Sequence, residues 1–201
     1  MTDLLLRLVE HVRRERLFPH PGGAVVAVSG GSDSVALLDL VNSARQEFGL
    51  DLSIGHVDHG TGTTADAARS VERLADRFKL PIHQLSLNLG PDWTETGARN
   101  GRYELLLGLL EDVGGRYIVM GHHADDQIET VLMRFLKGSG PAGLAGIGHR
   151  SGPVVRPLLP FRKRELADWV AARGLRDLVC EDPSNLDERH LRNWIRNTVL
   201  P

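Results

Sequence analysis

Residues 24–41 read Ala24-Val25-Val26-Ala27-Val28, then Ser29-Gly30-Gly31-Ser32-Asp33-Ser34, then Val35-Ala36-Leu37-Leu38-Asp39-Leu40-Val41. The first five are apolar and rich in β-branched Val, and a short apolar run stopped by glycine reads as a buried strand. The last seven have helical character. The order is therefore strand, tight glycine turn, helix N-terminus. Such a turn aims backbone N–H groups and the positive end of a helix dipole at one spot, which suits a phosphate. Gly30 and Gly31 let the backbone approach that phosphate with no Cβ in the way. Ser32 and Ser34 add hydroxyl donors, and Asp33 is a candidate ligand for magnesium bridging phosphate oxygens.

Two widespread phosphate loops do not fit. A Walker A loop ends in Gly-Lys-Ser/Thr, and there is no Lys between Ser29 and Ser34. The dinucleotide fingerprint needs a third glycine where Ser34 stands. The motif does match Ser-Gly-Gly-x-Asp-Ser, the pyrophosphatase loop of enzymes that split ATP between its α and β phosphates. An ordinary glycine turn is the alternative, and the strand–helix context favours the phosphate loop.

Outward from the loop the chain alternates. Leu4, Leu5, Leu8, Val9 and Val12 recur at helical spacing, and Pro19 and Pro21 stop that helix. The helix after the loop runs to about Phe48, with Gly49 as its C-terminal cap. Strands are expected at Leu52–Val57, Ile82–Leu87, Arg116–Gly121 and Pro153–Val155, besides the first at Ala24–Val28. Helices are expected over 67–78, from about Thr94, after His122–Asp126, over about 162–173 and over about 188–199. The pattern predicts an α/β fold: an open, mostly parallel five-stranded sheet with helices on both faces. Right-handed crossovers then bring the loops after strands one, two and four to one edge.

A chain of 201 residues supports one substantial core, and 41% hydrophobic with 25% charged residues is ordinary for a globular domain. No run of eighteen apolar residues occurs, and the N-terminus lacks a signal-peptide layout, so a cytoplasmic enzyme without a membrane span is expected. The single cysteine, Cys180, excludes an intrachain disulfide, lies in the apolar run Leu178-Val179-Cys180 and reads as a small core residue. Net charge is −2, yet residues 150–201 carry ten Lys+Arg, nine of them Arg, against seven Asp+Glu. That basic segment points weakly to phosphate or RNA, and a solvated charged face explains it equally well.

Three polar clusters stand out. His122-His123-Ala124-Asp125-Asp126 is rich enough for a metal, but adjacent histidines in extended chain point opposite ways, and carboxylates in a helix's first turn are favoured without any metal. A carboxylate here facing Asp33 is the better reading. Glu95, Arg99 and Arg102 share helical spacing, as a surface ion pair or as a phosphate contact. Arg192 and Arg196, four apart beside Asn193, repel each other modestly, and an anion would offset that.

Together these stretches resemble the tRNA(Ile)-lysidine synthetase family of N-type pyrophosphatase-loop enzymes. The resemblance runs from Ala24 to Pro201. It rests on Ser29–Ser34, His56-Val57-Asp58-His59-Gly60, Glu95-x-x-Ala98-Arg99 with Arg102-Tyr103, and Gly121-His122-His123-Ala124-Asp125-Asp126-Gln127-x-Glu129-Thr130. It continues with Lys137-Gly138-Ser139-Gly140, Gly143-Leu144, Arg156-Pro157-Leu158, Glu181-Asp182-x-Ser184-Asn185 and Arg192-Asn193-x-x-Arg196. Two features depart from the family. Asp58 stands where Asn is usual, with Thr61-Gly62 in place of a Leu-Arg pair. Residues 1–201 would form a single catalytic domain, without the usual C-terminal tRNA-binding domains.

The resemblance implies an adenine-nucleotide α-hydrolase-like, Rossmann-like fold. It implies ATP and Mg²⁺, and ligation of free L-lysine to C2 of the wobble cytidine of tRNA(Ile) with a CAU anticodon. It assigns ATP binding to Ser29, Gly30, Gly31, Ser32, Asp33, Ser34 and His56, with the metal on Asp33. Asp33, Asp126, Arg99 and Arg192 would carry the chemistry. Asp125, Glu129, Arg102, Arg156, Asn193 and Arg196 would meet lysine or tRNA. A homodimer is left open. Two alternatives also stay open at this point: a tRNA cytidine thiolation enzyme of the same fold, and a metal-dependent phosphohydrolase built on the His/Asp clusters.

Overall fold

A computed structural model of the chain describes residues 2–58, 64–87, 94–140, 144–180 and 194–199. Six helices, α1 (Thr2–Arg14), α2 (Ser32–Phe48), α3 (Thr64–Phe78), α4 (Glu95–Asp112), α5 (Ala124–Leu136) and α6 (Lys163–Ala172), surround one sheet. Its strands are β1 (Gly22–Ala27), β2 (Leu50–Asp58), β3 (Ile82–Ser86), β4 (Tyr117–Val119), β5 (Arg150–Ser151) and β6 (Val154–Val155). A 3₁₀ turn at Arg176–Leu178 and a π-helical turn at Ile195–Val199 follow.

The strand order is β3-β2-β1-β4-β6-β5, parallel except for the β5–β6 pair. From β1 the chain first winds outward through β2 and β3, then crosses back to place β4 on β1's other side. The order reverses between β1 and β4, where Ala24 pairs with Tyr117 and Val26 with Val119. Crossovers leave in opposite directions there, so a crevice opens at the strands' carboxyl ends. The phosphate loop follows β1 and the His122–Asp126 segment follows β4, so both open into that crevice.

Period-two alternation divides the core between the faces. Ala24 and Val26 join the larger cluster with α1, α2, α3 and α6, whereas Val25 faces α4 together with Ile118 and Val154. Gly55 on β2 admits α4 closely: a Cβ there would lie 2.8 Å from Val25 and 3.0 Å from Leu106. A buried carboxylate ties α6 to α2: Asp39, 1% exposed, accepts from Trp169 Nε1 at 2.8 Å and from Arg173 Nε at 3.0 Å. Gly49 closes α2 in the left-handed region, φ 60.

The sheet has six strands where five were expected. The extra one, β5, is a two-residue antiparallel edge, Arg150↔Val155 and Ser151↔Val154, turned by Gly152 at φ 58. Two exposed polar residues carry no alternation to read. Cys180 is half-buried rather than interior. The expected last helix is described only at residues 194–199; residues 181–193 lie outside the described part. No helix among the described residues is long and apolar enough to cross a membrane.

Candidate functional site

The loop after β1 is shaped by its own serine. Ser34 Oγ accepts the Gly30 N–H at 3.2 Å, donates to the Gly31 carbonyl at 2.8 Å and receives the Ser29 hydroxyl at 3.3 Å. This side chain therefore fixes the loop's curvature. Gly30 sits at φ 93, a conformation that disfavours any residue with a Cβ. Gly31 is the N-cap of α2, and no side chain caps that helix. An uncapped helix N-terminus with a glycine in front of it is a ready anion cradle.

The outer side of the loop is clamped by distant parts of the chain. Cys180 N–H donates to the Gly30 carbonyl at 2.9 Å. Ser70 Oγ donates to the Leu178 carbonyl at 2.6 Å, and Arg73 Nη1 to the Asp177 carbonyl at 3.0 Å. Ser70 and Cys180 were not singled out as site residues from the sequence. They lie about one hundred positions apart, and no short motif links them.

Across the crevice, β4 leads through Gly121, whose Cβ position is 3.5 Å from the Asp33 carbonyl. The expectation that His122 and His123 diverge holds for their burial. His123 is 2% exposed and contacts Asp33, whereas His122 is partly exposed. His123 is the N-cap of α5, and its N–H donates to Asp126 Oδ2 at 3.0 Å. Its Nε2 lies 3.4 Å from Asp33 Oδ2 and 3.6 Å from Asp126 Oδ2, with Nδ1 3.6 Å from Asp125 Oδ2. Burial opposes a charge on this imidazole, but Asp33, Asp126 and Asp125 outweigh it and hold its pKa above the ordinary value.

Asp125 points away, to the start of α6. It accepts from Arg162 Nη1 at 3.0 Å and from the Lys163 N–H at 2.7 Å. Burial alone would raise its pKa; those two donors, with His123 and the Arg162 charge, bring it below the ordinary value. Asp126 and Glu129 are both buried, one helical turn apart on α5. Asp33, on the first turn of α2, and Asp126 both approach His123 Nε2, so carboxylates stand beside the anion cradle.

The Asp33 carboxylate suits magnesium. Its Oδ1 is buried with no hydrogen-bond partner. Magnesium is typically held by one or two carboxylates, with phosphate oxygens and water completing the octahedron. Among the described residues no group of three or more His, Cys, Asp and Glu is arranged to hold a metal by itself.

His56, at the β2 carboxyl end, is 4% exposed, and its Nδ1 meets the Val28 carbonyl at 2.8 Å. The loop's entry strand thus fixes the ring. Arg99 and Arg102 lie in the first half of α4, where Gly101 packs on Leu87: a Cβ there would meet that side chain at 2.6 Å. Arg156 follows β6, is 5% exposed, and donates to the Gly148 carbonyl at 2.9 Å and to Tyr103 Oη at 3.1 Å. Tyr103 in turn lies under Arg99. The i,i+4 spacing of Arg99 and Tyr103 could have flagged that contact. Ser32 belongs to the first turn of α2. Arg192, Asn193, His59 and Gly60 lie outside the described residues, as does the side chain of Arg196.

Comparison with known proteins matches residues 7–201 to a PP-loop domain family. The chain is similar to a tRNA(Ile)-lysidine synthase of Methylococcus capsulatus, 41% identical over 90% of this chain and 43% of that protein. It is similar to one of Geobacter sulfurreducens, 36% identical over 100% of this chain and 44% of that protein. The chain spans less than half the length of these curated relatives. Among solved structures, the U34-tRNA thiolase NcsA from Methanococcus maripaludis with its [4Fe-4S] cluster superposes at TM-score 0.72. That match is 16% identical and covers 96% of this chain and 77% of that one. NMN synthetase from Francisella tularensis superposes at TM-score 0.62, is 13% identical, and covers 90% and 74% of the two chains. At such identities these two share the fold.

Proposed function

Because this chain belongs to the PP-loop domain family, we propose that it uses ATP to adenylate the C2 oxygen of the wobble cytidine of tRNA(Ile) bearing a CAU anticodon. The amine of free lysine then attacks C2 and displaces AMP, giving lysidine. The observation that carries this reading is the uncapped, glycine-led N-terminus of α2, which bears Asp33, set at one crevice with Asp126 at the start of α5, both carboxylates approaching His123 Nε2. Similarity to tRNA(Ile)-lysidine synthases over nearly the whole chain supports the choice of substrates.

The order of steps follows from leaving-group chemistry. The C2 oxygen departs poorly until it carries an adenylyl group, so ATP must react first. The backbone N–H groups of the first turn of α2, from Ser32 on, would hold the β and γ phosphates, and the Ser32 hydroxyl would add a contact. Magnesium, held through Asp33, would supply charge neutralisation on the departing pyrophosphate. His56 would border the nucleoside half. Asp126 and Glu129, both buried, would receive the lysine ammonium, while Asp125 keeps α5 docked on α6. Arg99 and Arg192 would offset charge at the α-phosphate. Arg102, Asn193 and Arg196 would meet tRNA or the lysine carboxylate, whereas Arg156, buried and bonded to Gly148 and Tyr103, would support the site from beneath. An anticodon-loop base is already unstacked enough to be read by its edges. We place the reaction in the cytoplasm.

The single cysteine of this chain cannot supply the several thiolates that hold an iron–sulfur cluster, so cytidine thiolation is not the reading favoured here. The test is incorporation of radiolabelled lysine into unmodified tRNA(Ile) with ATP and Mg²⁺. Lysidine in the digested tRNA supports the proposal. Sulfur-containing cytidine, or ATP cleavage that leaves the tRNA unchanged, refutes it.

A further inference from the structure

Tyr103 is flanked by two guanidinium groups. Its phenol oxygen accepts from Arg156 Nη2 at 3.1 Å, and Arg99 Cζ stands 5.7 Å over its ring. Arg156 is 5% exposed, and its other terminal nitrogen donates to the Gly148 carbonyl at 2.9 Å. Arg156 also bonds His149 through the backbone, its N–H reaching that carbonyl at 2.8 Å. The segment it grips is held from α5 as well: Gln127 bonds both backbone groups of Ile147, at 2.5 and 2.6 Å, and Arg134 donates to the Gly146 carbonyl at 3.1 Å. The ring therefore rests on a rigid base at the carboxyl edge of the sheet. Arg99 is exposed.

A long exposed arginine samples many rotamers, and holding one costs conformational entropy. A phenol ring anchored beneath the guanidinium restricts that search before any ligand arrives. We propose that Tyr103, anchored by Arg156, is a positioning residue that presents the Arg99 guanidinium to an anionic group of the substrates at the carboxyl edge. This rests on the reading of Arg99 given under Proposed function. The hydroxyl and the ring have separable tasks. The hydroxyl fixes the ring's tilt through Arg156, and the ring face receives Arg99.

The test is a double-mutant cycle on the full chain, read in tRNA-dependent pyrophosphate release. Tyr103→Leu should lower kcat by about tenfold, as loss of orientation does, with the KM for ATP nearly unchanged. Tyr103→Phe, which keeps the ring, should fall between Leu and wild type. In an Arg99→Ala background Tyr103→Leu should add nothing further; effects that multiply would overturn the proposal. A second readout needs no activity. The chain has two tyrosines, so ultraviolet titration in a Tyr117→Phe background reads the Tyr103 phenol alone. Burial raises its pKa, but Arg156 and Arg99 bring it below the ordinary value. Arg99→Ala should therefore raise it, and an unmoved titration would mean Arg99 is not held there. An inactive wild-type chain whose phenol still responds to Arg99→Ala would refute the reaction assigned above and, with it, the positioning role in that reaction. The Arg99–Tyr103 contact itself would stand.

Discussion

Acidification should destabilise this protein through one buried ring. His11, on α1, is 3% exposed and stacks at 4.9 Å, tilted by 55°, on His149. Its Nδ1 accepts from Arg14 Nη2 at 3.1 Å, which leaves the proton on Nε2, a buried atom without a partner. Burial, then His149 and Arg14, pull its pKa from 6.5 down to about 4, against a smaller upward pull from Glu15. The unfolded chain therefore binds a proton below pH 6.5 that the folded chain refuses until about pH 4. Stability falls across that window as pH drops, at about 1.4 kcal/mol per pH unit. By pH 5 the loss is about 2 kcal/mol, and it is complete, at about 3 kcal/mol, near pH 4.

His11→Leu keeps an apolar side chain in the space and removes the titration. Urea unfolding at pH 7.5 and pH 5 reads both proteins. Wild type should lose about 2 kcal/mol more than His11→Leu between those pH values. His123 works in the opposite sense in both proteins. Its raised pKa adds stability that is present below its ordinary value and is lost as pH rises through the folded one. That contribution cancels in the comparison. Equal losses in the two proteins would refute the argument from burial of His11.

Three other perturbations are informative. Asp39→Ala strands the Trp169 indole N–H and the Arg173 guanidinium, and should cost about 3 kcal/mol in urea unfolding without altering ATP affinity in the molecules that stay folded. Gly30→Ala forces φ 93 on a residue with a Cβ, which costs about 1–2 kcal/mol; if the loop relaxes instead, ATP binding measured by calorimetry should be lost while the thermal midpoint falls only slightly. Asp125→Asn removes a carboxylate whose lowered pKa stabilises the fold above its ordinary value and ceases to do so as pH falls through the folded value. The variant should therefore lose part of wild type's acid sensitivity below about pH 4, by less than about 1 kcal/mol because Arg162 is exposed.

The phosphate loop was legible because its information is local. Six consecutive residues specify the turn, and the runs on either side specify strand and helix. The same holds for Gly49 as a cap and for the helix expected from about Thr94, where the structure makes Thr94 the N-cap, its Oγ1 accepting from Gly97 N–H at 3.1 Å. The convergence of the loops after β1 and β4 was legible too, since alternating elements and right-handed crossovers leave few topologies. What was not legible depends on partners remote in sequence. Cys180 reads as an apolar filler, yet its backbone N–H closes the Gly30 carbonyl. Arg156 reads as a substrate contact, and in the structure its terminal nitrogens reach Gly148 and Tyr103. Asp125 and Asp126 look equivalent as neighbours, but helical geometry sends one to α6 and the other to the crevice.

The most direct measurement is pyrophosphate release from ATP with Mg²⁺, lysine and unmodified tRNA(Ile), comparing wild type with Asp33→Ala. Release should require the tRNA, be accompanied by equimolar AMP, and be abolished in Asp33→Ala, while the variant's thermal midpoint stays within a few degrees. An Asp33→Ala protein that releases pyrophosphate as fast as wild type, or a wild-type chain that binds no ATP, would contradict the assignment of Ser29–Ser34 as the site of ATP cleavage.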